Sequence, residues 1–400
     1  MTFQILLSIP IGVFFGIVTG ILPGIHPNTV VTGLLAISPF LLSFTSPIVL
    51  AVFITTVATV NTFVDNCPSC YLGAPEENTA LGLLPMHRYL LEGKGHEAIL
   101  LTVIGSLFSL ILGLILVIPI VYTLKTIFPF LKKIIIYLLI LSVIYLFYRE
   151  KQSRILAAIV FLLSGLLGII TLNFPNLPQP LFPLFSGLFG ISTMVVSLNS
   201  KSKIPKQYIT YPKIKSKEIL TITPVSVFSG GLVSTLPALG PSQAAIIGSA
   251  LLRNLSTKNF LMMIGGINSI NFVLSFISLY VIDKARNGTI VGISQLLEKI
   301  SLNQFILFLS VCMIAAGLGA VSTIYISKIF AKYIEKVNYE LLILSIISMV
   351  ALLVLIISGF YGFLILITST FIGIIPTLKN IGKTHLMGSL MIPVILFYLL

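Results

Sequence analysis

Long apolar runs separated by short polar stretches occupy almost the whole chain. They fall at about 5–22, 29–44, 47–64, 98–124, 134–148, 155–172 and 184–198. A second set follows at 219–236, 242–252, 259–282, 304–325, 341–357, 360–378 and 385–400. Runs near 20 residues have the length of a membrane-crossing helix, and the alternating pattern of a membrane β-barrel is missing. The pattern predicts an all-α polytopic membrane protein with about 10–14 membrane segments. The sizeable polar stretches are 65–97, 199–218 and 283–303, too short for a separate soluble domain.

Seven runs precede the lysine-rich stretch 199–218 and seven follow it. A short pattern also appears twice. Residues 10–27 read P-I-G-V-F-F-G-I-V-T-G-I-L-P-G-I-H-P, and residues 224–241 read P-V-S-V-F-S-G-G-L-V-S-T-L-P-A-L-G-P. At this constant offset of 214 residues, 7 of 18 positions are identical, where chance gives about one or two. Because seven is odd, the second half enters from the opposite side of the membrane. The chain therefore divides into a first repeat 1–198, a linker 199–218 and an inverted second repeat 219–400. Segments 29–44 and 242–252 are short for a full span. If each motif forms a re-entrant hairpin, every half has five crossings, and the inversion stands.

Composition narrows the picture. The chain has 400 residues, of which 57% are hydrophobic and 9% charged, with net charge +13. Its basic residues sit in short loops between apolar runs, which fits the positive-inside bias and excludes nucleic acid as a partner. Lys201, Lys203, Lys206, Lys213, Lys215 and Lys217 place 199–218 in the cytoplasm. Counting outward puts 65–97, Arg149–Arg154, Arg253 and Lys258 inside, and 173–183 and 283–303 outside. The N-terminus is then outside, and Lys125, Lys132 and Lys133 fall in an external loop, the poorest fit. No cleavable signal peptide is expected, since the first run lacks a basic flank.

The paired motifs carry the strongest candidate chemistry. Pro23 and Pro27 lack N–H groups and break a helix, and Gly24 permits a turn. Asn28 and Thr29 suit the cap of a following half-helix. In the second copy Pro237 and Pro241 are the breaks, Gly240 supplies flexibility, and Ser242 and Gln243 supply the cap. A half-helix N-terminus at membrane depth suits an anion. A kinked helix or a tight interhelical turn would explain either copy alone; two copies at one offset favour a transport site.

In 65–97, Asp65, Glu76 and Glu77 are candidates for a coupling cation, H⁺ or Na⁺, and Arg88 for a carboxylate or phosphate. A solvated loop with balancing charges is the bland alternative. Asn268, Asn271 and Ser275 share one helix face, which either lines a polar cavity or binds helices together. Cys67-Pro-Ser-Cys70 has redox or zinc spacing but no second pair. It reads instead as a small-residue loop near the membrane, and no metal or cofactor is expected. Thr384-His385-Leu386-Met387-Gly388 is a further polar interruption without an assigned role. The signatures of zinc proteases, intramembrane aspartyl proteases, serine hydrolases and P-loop ATPases are missing, so the chain is not read as an enzyme.

L-P-G-I-H-P-N-T and L-P-A-L-G-P-S-Q-A-A resemble the paired Pro-Gly motifs of the large membrane subunit of tripartite tricarboxylate transporters, the TctA family. The stretch Y-L-G-A-P-E-E-N-T-A-L-G-L-L-P-M-H-R-Y-L-L-E-G-K-G-H-E resembles that family's segment after the third helix. The resemblance covers nearly the whole chain and is closest to a shorter archaeal branch. It departs at Ala238, where the second motif usually has Gly, and at His26, where a small residue is common. It implies a secondary transporter of the cell membrane carrying a small organic anion such as a di- or tricarboxylate. It also implies a small membrane subunit and an extracytoplasmic solute-binding protein as partners. A homodimer is a further expectation. The family motif maps the substrate-facing tips onto Pro23, Gly24, Pro27, Asn28, Pro237, Gly240, Pro241 and Ser242. The alternative is a flippase for a polyprenyl-phosphate lipid carrier, since a phosphate head group would also suit half-helix N-termini and Arg88.

Overall fold

The structure is a computed structural model that describes residues 2–22, 27–73, 80–150, 152–199, 205–235, 240–252, 255–283, 285, 287–297, 299–334 and 339–399. It is all-α, with no strand among the described residues, and is that of a polytopic membrane protein. The first half comprises α1 (Thr2–Ile21), α2 (Pro27–Ala36), α3 (Ser38–Leu41), α4 (Pro47–Val64), α5 (Asn66–Tyr71), α6 (Leu83–Leu91), α7 (Gly95–Ile115), α8 (Val117–Arg149), α9 (Arg154–Leu172), α10 (Leu181–Phe185) and α11 (Ser192–Asn199). The second comprises α12 (Ser216–Thr235), α13 (Pro241–Leu251), α14 (Thr257–Ile282), α15 (Gly288–Leu296), α16 (Leu302–Tyr333), α17 (Tyr339–Leu378) and α18 (Gly388–Leu399). Among the described residues, 7 helices are long and apolar enough to cross a membrane.

The helices that follow the two motifs are too short to span a membrane. Helix α2 has 10 residues and α13 has 11. At 1.5 Å per residue each measures roughly 15 Å, about half the hydrocarbon core. Both begin at the second proline of a repeated motif, where the missing N–H costs nothing in a first turn.

Small residues set the helix packing. Gly12, Gly16 and Gly20 bring α1 against Thr56, Val60 and Val64 of α4. In the second half α12 runs along α14 in the same way. There Gly230 faces Ile267 and Ile270, and Ser278 donates to the Ser234 carbonyl at 3.0 Å. The pairs Gly20/Val64 and Ser234/Ser278 differ by the motif offset at both members. The halves also cross-pack. Helix α4 lies on α16, where Gly319 meets Val60 and Phe63, and α14 lies on α7. At the α7–α14 crossing a Cβ on Gly105 would overlap the Met262 carbonyl, and one on Gly265 the Thr102 carbonyl. With no water inside a membrane to drive apolar helices together, such close approach supplies the dispersion contacts that hold them.

Several boundaries depart from the sequence pattern. The expected external loop at 125–133 is helix: α8 runs unbroken, and the discontinuity falls at Leu116. Residues 117–149 contain no glycine, and neither the three lysines nor Pro129, which removes a single N–H from the ladder, ends the helix. At 33 residues, α8 measures about 50 Å. The break expected between 357 and 360 is present inside α17, at Gly359, with φ 67° and ψ −166°. That region is essentially closed to side-chain-bearing residues. The described residues of the polar stretch 65–97 are largely helical rather than an open loop. Cys67 and Cys70 therefore stand not in a small-residue loop but on α5, free and fully buried, with their thiols against the Thr323, Met86 and Gly95 carbonyls. No group of three or more metal-ligating side chains occurs among the described residues.

Candidate functional site: a buried carboxylate between the halves

Polar residues interrupt α4 one turn apart. Asn61, Thr62 and Asp65 follow fourteen apolar, alanine and threonine positions, and all three are buried. Asp65 does not end the helix. Its amide donates to the Asn61 carbonyl at 2.9 Å, and its own carbonyl accepts from Ser69 at 3.4 Å, so α4 and α5 form one rod, Pro47–Tyr71. This continuity withdraws the carboxylate from water: Asp65 is 1% exposed.

Two amides meet the carboxylate. Asn66 Nδ2 donates to Oδ1 at 2.9 Å, and Asn268 Nδ2 donates to Oδ2 at 3.1 Å. Asn268 lies halfway along α14, so its bond ties the first half of the chain to the second. The same Nδ2 donates to the Thr62 carbonyl at 3.3 Å, while Thr62 Oγ1 and Ser269 Oγ stand 3.3 Å apart. Asn61 Nδ2 reaches Thr19 Oγ1 at 3.3 Å on the last turn of α1. Among the described residues Asp65 forms no ion pair. A buried carboxylate held only by neutral donors is costly unless a proton or cation joins it. Asn66 Oδ1 is also buried without a partner, which leaves an acceptor beside it.

The second motif is described from Gly240 onward. Gly240 N–H donates to Gln243 Oε1 at 2.9 Å, the reach-back half of a helix cap. Gln243 is fully buried, and its Nε2 has no partner. Pro241 and Ser242 are buried beside it. Gly240 adopts φ −115° and ψ 175°, extended backbone open to any residue, so the flexibility expected of it is not exercised in this conformation. In the first motif Pro27 is buried. Asn28 and Thr29 belong to α2, but their side chains lie outside the described residues, as do Pro23, Gly24, Pro237, Glu76 and Glu77. The first motif departs from the end of α1, and a Cβ on Gly20 in its last turn would sit 3.3 Å from the Asp65 nitrogen.

Of the sequence candidates, Asp65 and Asn268 are thus brought into direct contact. Asn271 and Ser275 bond within their own helix. Arg88 stands apart, on the exposed rim of a cavity of about 390 Å³. That cavity also contains groups the sequence reading did not single out as a site. Lys383 is 6% exposed, and its Nζ donates to Thr193 Oγ1 at 2.6 Å. His385 Nε2 pairs with Glu150 Oε2 at 3.0 Å, and Glu150 also accepts from the Gln152 and Gly382 amides. Burial raises the Glu150 pKa, but these donors together outweigh it and hold the carboxyl below its usual range. The polar interruption at 384–388 was the available signal for this cluster.

Residues 6–388 match the family described as "Tripartite tricarboxylate transporter TctA family". The chain is also similar to an uncharacterized protein of Methanocaldococcus jannaschii, at 30% identity over 404 residues, covering 98% of this chain and 99% of that one. No solved structure matches it.

Proposed function

The chain belongs to the tripartite tricarboxylate transporter TctA family, and from that premise we propose that it is a gradient-driven carrier of a small organic anion such as a di- or tricarboxylate. The family is one of transporters, and the chain is a multi-pass membrane protein. We place it in the cell membrane, working with a small membrane subunit and an extracytoplasmic solute-binding protein. Its two halves form an inverted repeat, in which α1 on α4 corresponds to α12 on α14.

The observation that carries the reading is the Asp65–Asn268 contact. A carboxylate without a counter-charge bridges one helix from each half, one helical turn from the stem of the first motif. Asp65 takes the coupling H⁺ or Na⁺, and the cation's arrival changes how strongly α4 holds α14. Such a change is what alternating access requires of its coupling site. The anion sits between the motif tips, Pro23, Gly24, Pro27, Asn28 and Thr29 on one side and Pro237, Gly240, Pro241, Ser242 and Gln243 on the other. The free Nε2 of Gln243 and the amides of α13 are its donors. Glu76 and Glu77 are second candidates for the cation, and Arg88 for guiding the anion.

Thermal stability of the purified chain with di- and tricarboxylates, with and without Na⁺, tests the binding step. A ligand at a hundred times its Kd adds about 2.7 kcal/mol. The reading expects a cation-dependent shift that Asp65→Asn uncouples from Na⁺ or pH. A shift only with polyprenyl phosphates would replace the anion reading, and a carboxylate shift indifferent to Asp65 would remove its coupling role.

A further inference from the structure

The cavity beside α13 holds a charge that the described protein leaves uncompensated. Lys383 is drawn into the interior by the 310 turn Lys383–Met387, which docks on the end of α8. The nearest cavity carboxylate, Glu150, is already engaged by two backbone amides and His385. Among the described residues Lys383 forms no ion pair; its hydrogen-bond partner is the neutral Thr193 hydroxyl. A buried ammonium is unfavourable unless an anion accompanies it.

A second cation lines the same cavity. Arg88 presents a guanidinium at the rim. His87, next to it on α6, is held below its ordinary pKa by burial and by the Lys383 ammonium, so the field of Lys383 reaches α6. Helix α13 also lines the cavity, through Ala245, Ile246 and Ser249. Ala245 follows Pro241 by one helical turn, about 6 Å of rise. A volume of about 390 Å³ accommodates a small polyvalent anion.

We propose that this cavity is a binding site for a small oxyanion, carboxylate or phosphate, held by Lys383 within and Arg88 at the rim. The site is separate from the motif tips and does not depend on the transport reading. Three of its contributing stretches, around Arg88, Glu150 and Leu255, belong to loops that the positive-inside pattern assigns to the cytoplasm. It is thus an anion site at the inner mouth, one turn along α13 from the second motif.

The test is anion-dependent thermal stability of the full chain in detergent, titrated with citrate, succinate and inorganic phosphate against chloride at equal ionic strength. A parallel titration uses a short-chain phosphatidic acid. The wild type shows a saturable rise with at least one oxyanion. Lys383→Met weakens that affinity at least about tenfold while the unliganded melting temperature holds or rises, because a buried charge has been removed. Arg88→Gln, on an exposed side chain that leaves packing intact, weakens it severalfold. Lys94→Gln, at an exposed lysine outside the cavity, leaves it unchanged. A response to phosphatidic acid alone keeps the oxyanion chemistry and assigns its source to lipid. No saturable rise with any oxyanion, or one whose affinity survives Lys383→Met, overturns the proposal.

Discussion

Exchanging the partners at Asp65 and Asn268 tests whether their contact joins the halves as the geometry requires. In the wild type, Asp65 Oδ2 accepts from Asn268 Nδ2 at 3.1 Å while Oδ1 accepts from Asn66 at 2.9 Å. Asn268→Asp alone puts two carboxyl groups in contact where neither meets water, a loss of about 3–5 kcal/mol if both ionise. Proton uptake by one of them limits the loss. Asp65→Asn alone keeps an acceptor for Asn66 but turns an amide N–H₂ toward the N–H₂ of Asn268. Two donors then face each other, at about 1–3 kcal/mol for the unsatisfied pair. The double exchange restores complementarity: the amide introduced by Asp65→Asn donates to the carboxylate introduced by Asn268→Asp, and its oxygen still accepts from Asn66. Rescue is incomplete, because Asn268 also donates to the Thr62 carbonyl at 3.3 Å and a carboxylate there repels it. The cycle should show a favourable coupling of about 1.5–3 kcal/mol. Thermal unfolding of the four purified proteins in one detergent reads this as a double variant more stable than Asn268→Asp. Additive losses, with the double variant the least stable of the four, would refute the contact as drawn.

Further expectations concern other parts of the fold. Gly265→Val or Gly105→Val drives a side chain into the opposing carbonyl at the α7–α14 crossing and should cost more than about 4 kcal/mol, read as loss of monodisperse protein on size exclusion. Gly359→Ala meets nothing within 4 Å, so its cost, about 1–3 kcal/mol in melting experiments, is purely conformational. Glu150→Ala leaves two backbone amides and His385 without their acceptor and should lower stability by about 2–3 kcal/mol. Because the folded Glu150 titrates below its ordinary value of 4.5, its contribution is complete above that value and is lost as pH falls through the folded pKa. The melting temperature of wild type minus that of Glu150→Gln should therefore shrink on acidification, and a constant difference would contradict the assignment.

The sequence by itself determined the class of the molecule, because membrane residence is written in local features. Run length and charge content decide whether a segment spans, and a proline pair decides where it breaks. The half-length helices after Pro27 and Pro241, the break in α17 and the polar positions Asp65 and Asn268 were all legible in this way. The continuity of α8 through Lys125, Pro129, Lys132 and Lys133 was not, because neither charge nor the loss of one backbone hydrogen bond is enough to end a long helix.

Only the tertiary structure decided which polar groups meet. Asp65 and Asn268 lie 203 residues apart. Their contact depends on how closely α4, α7 and α14 approach, which is set by glycines on faces that periodicity alone does not pair. Lys383, beside a polar interruption to which the sequence assigns no role, is buried because Glu150, also distant in sequence, anchors the backbone beside it. Burial and pairing are properties of the assembled packing, so the cost of a charge, and with it the need for a ligand, becomes visible only once the helices are in place.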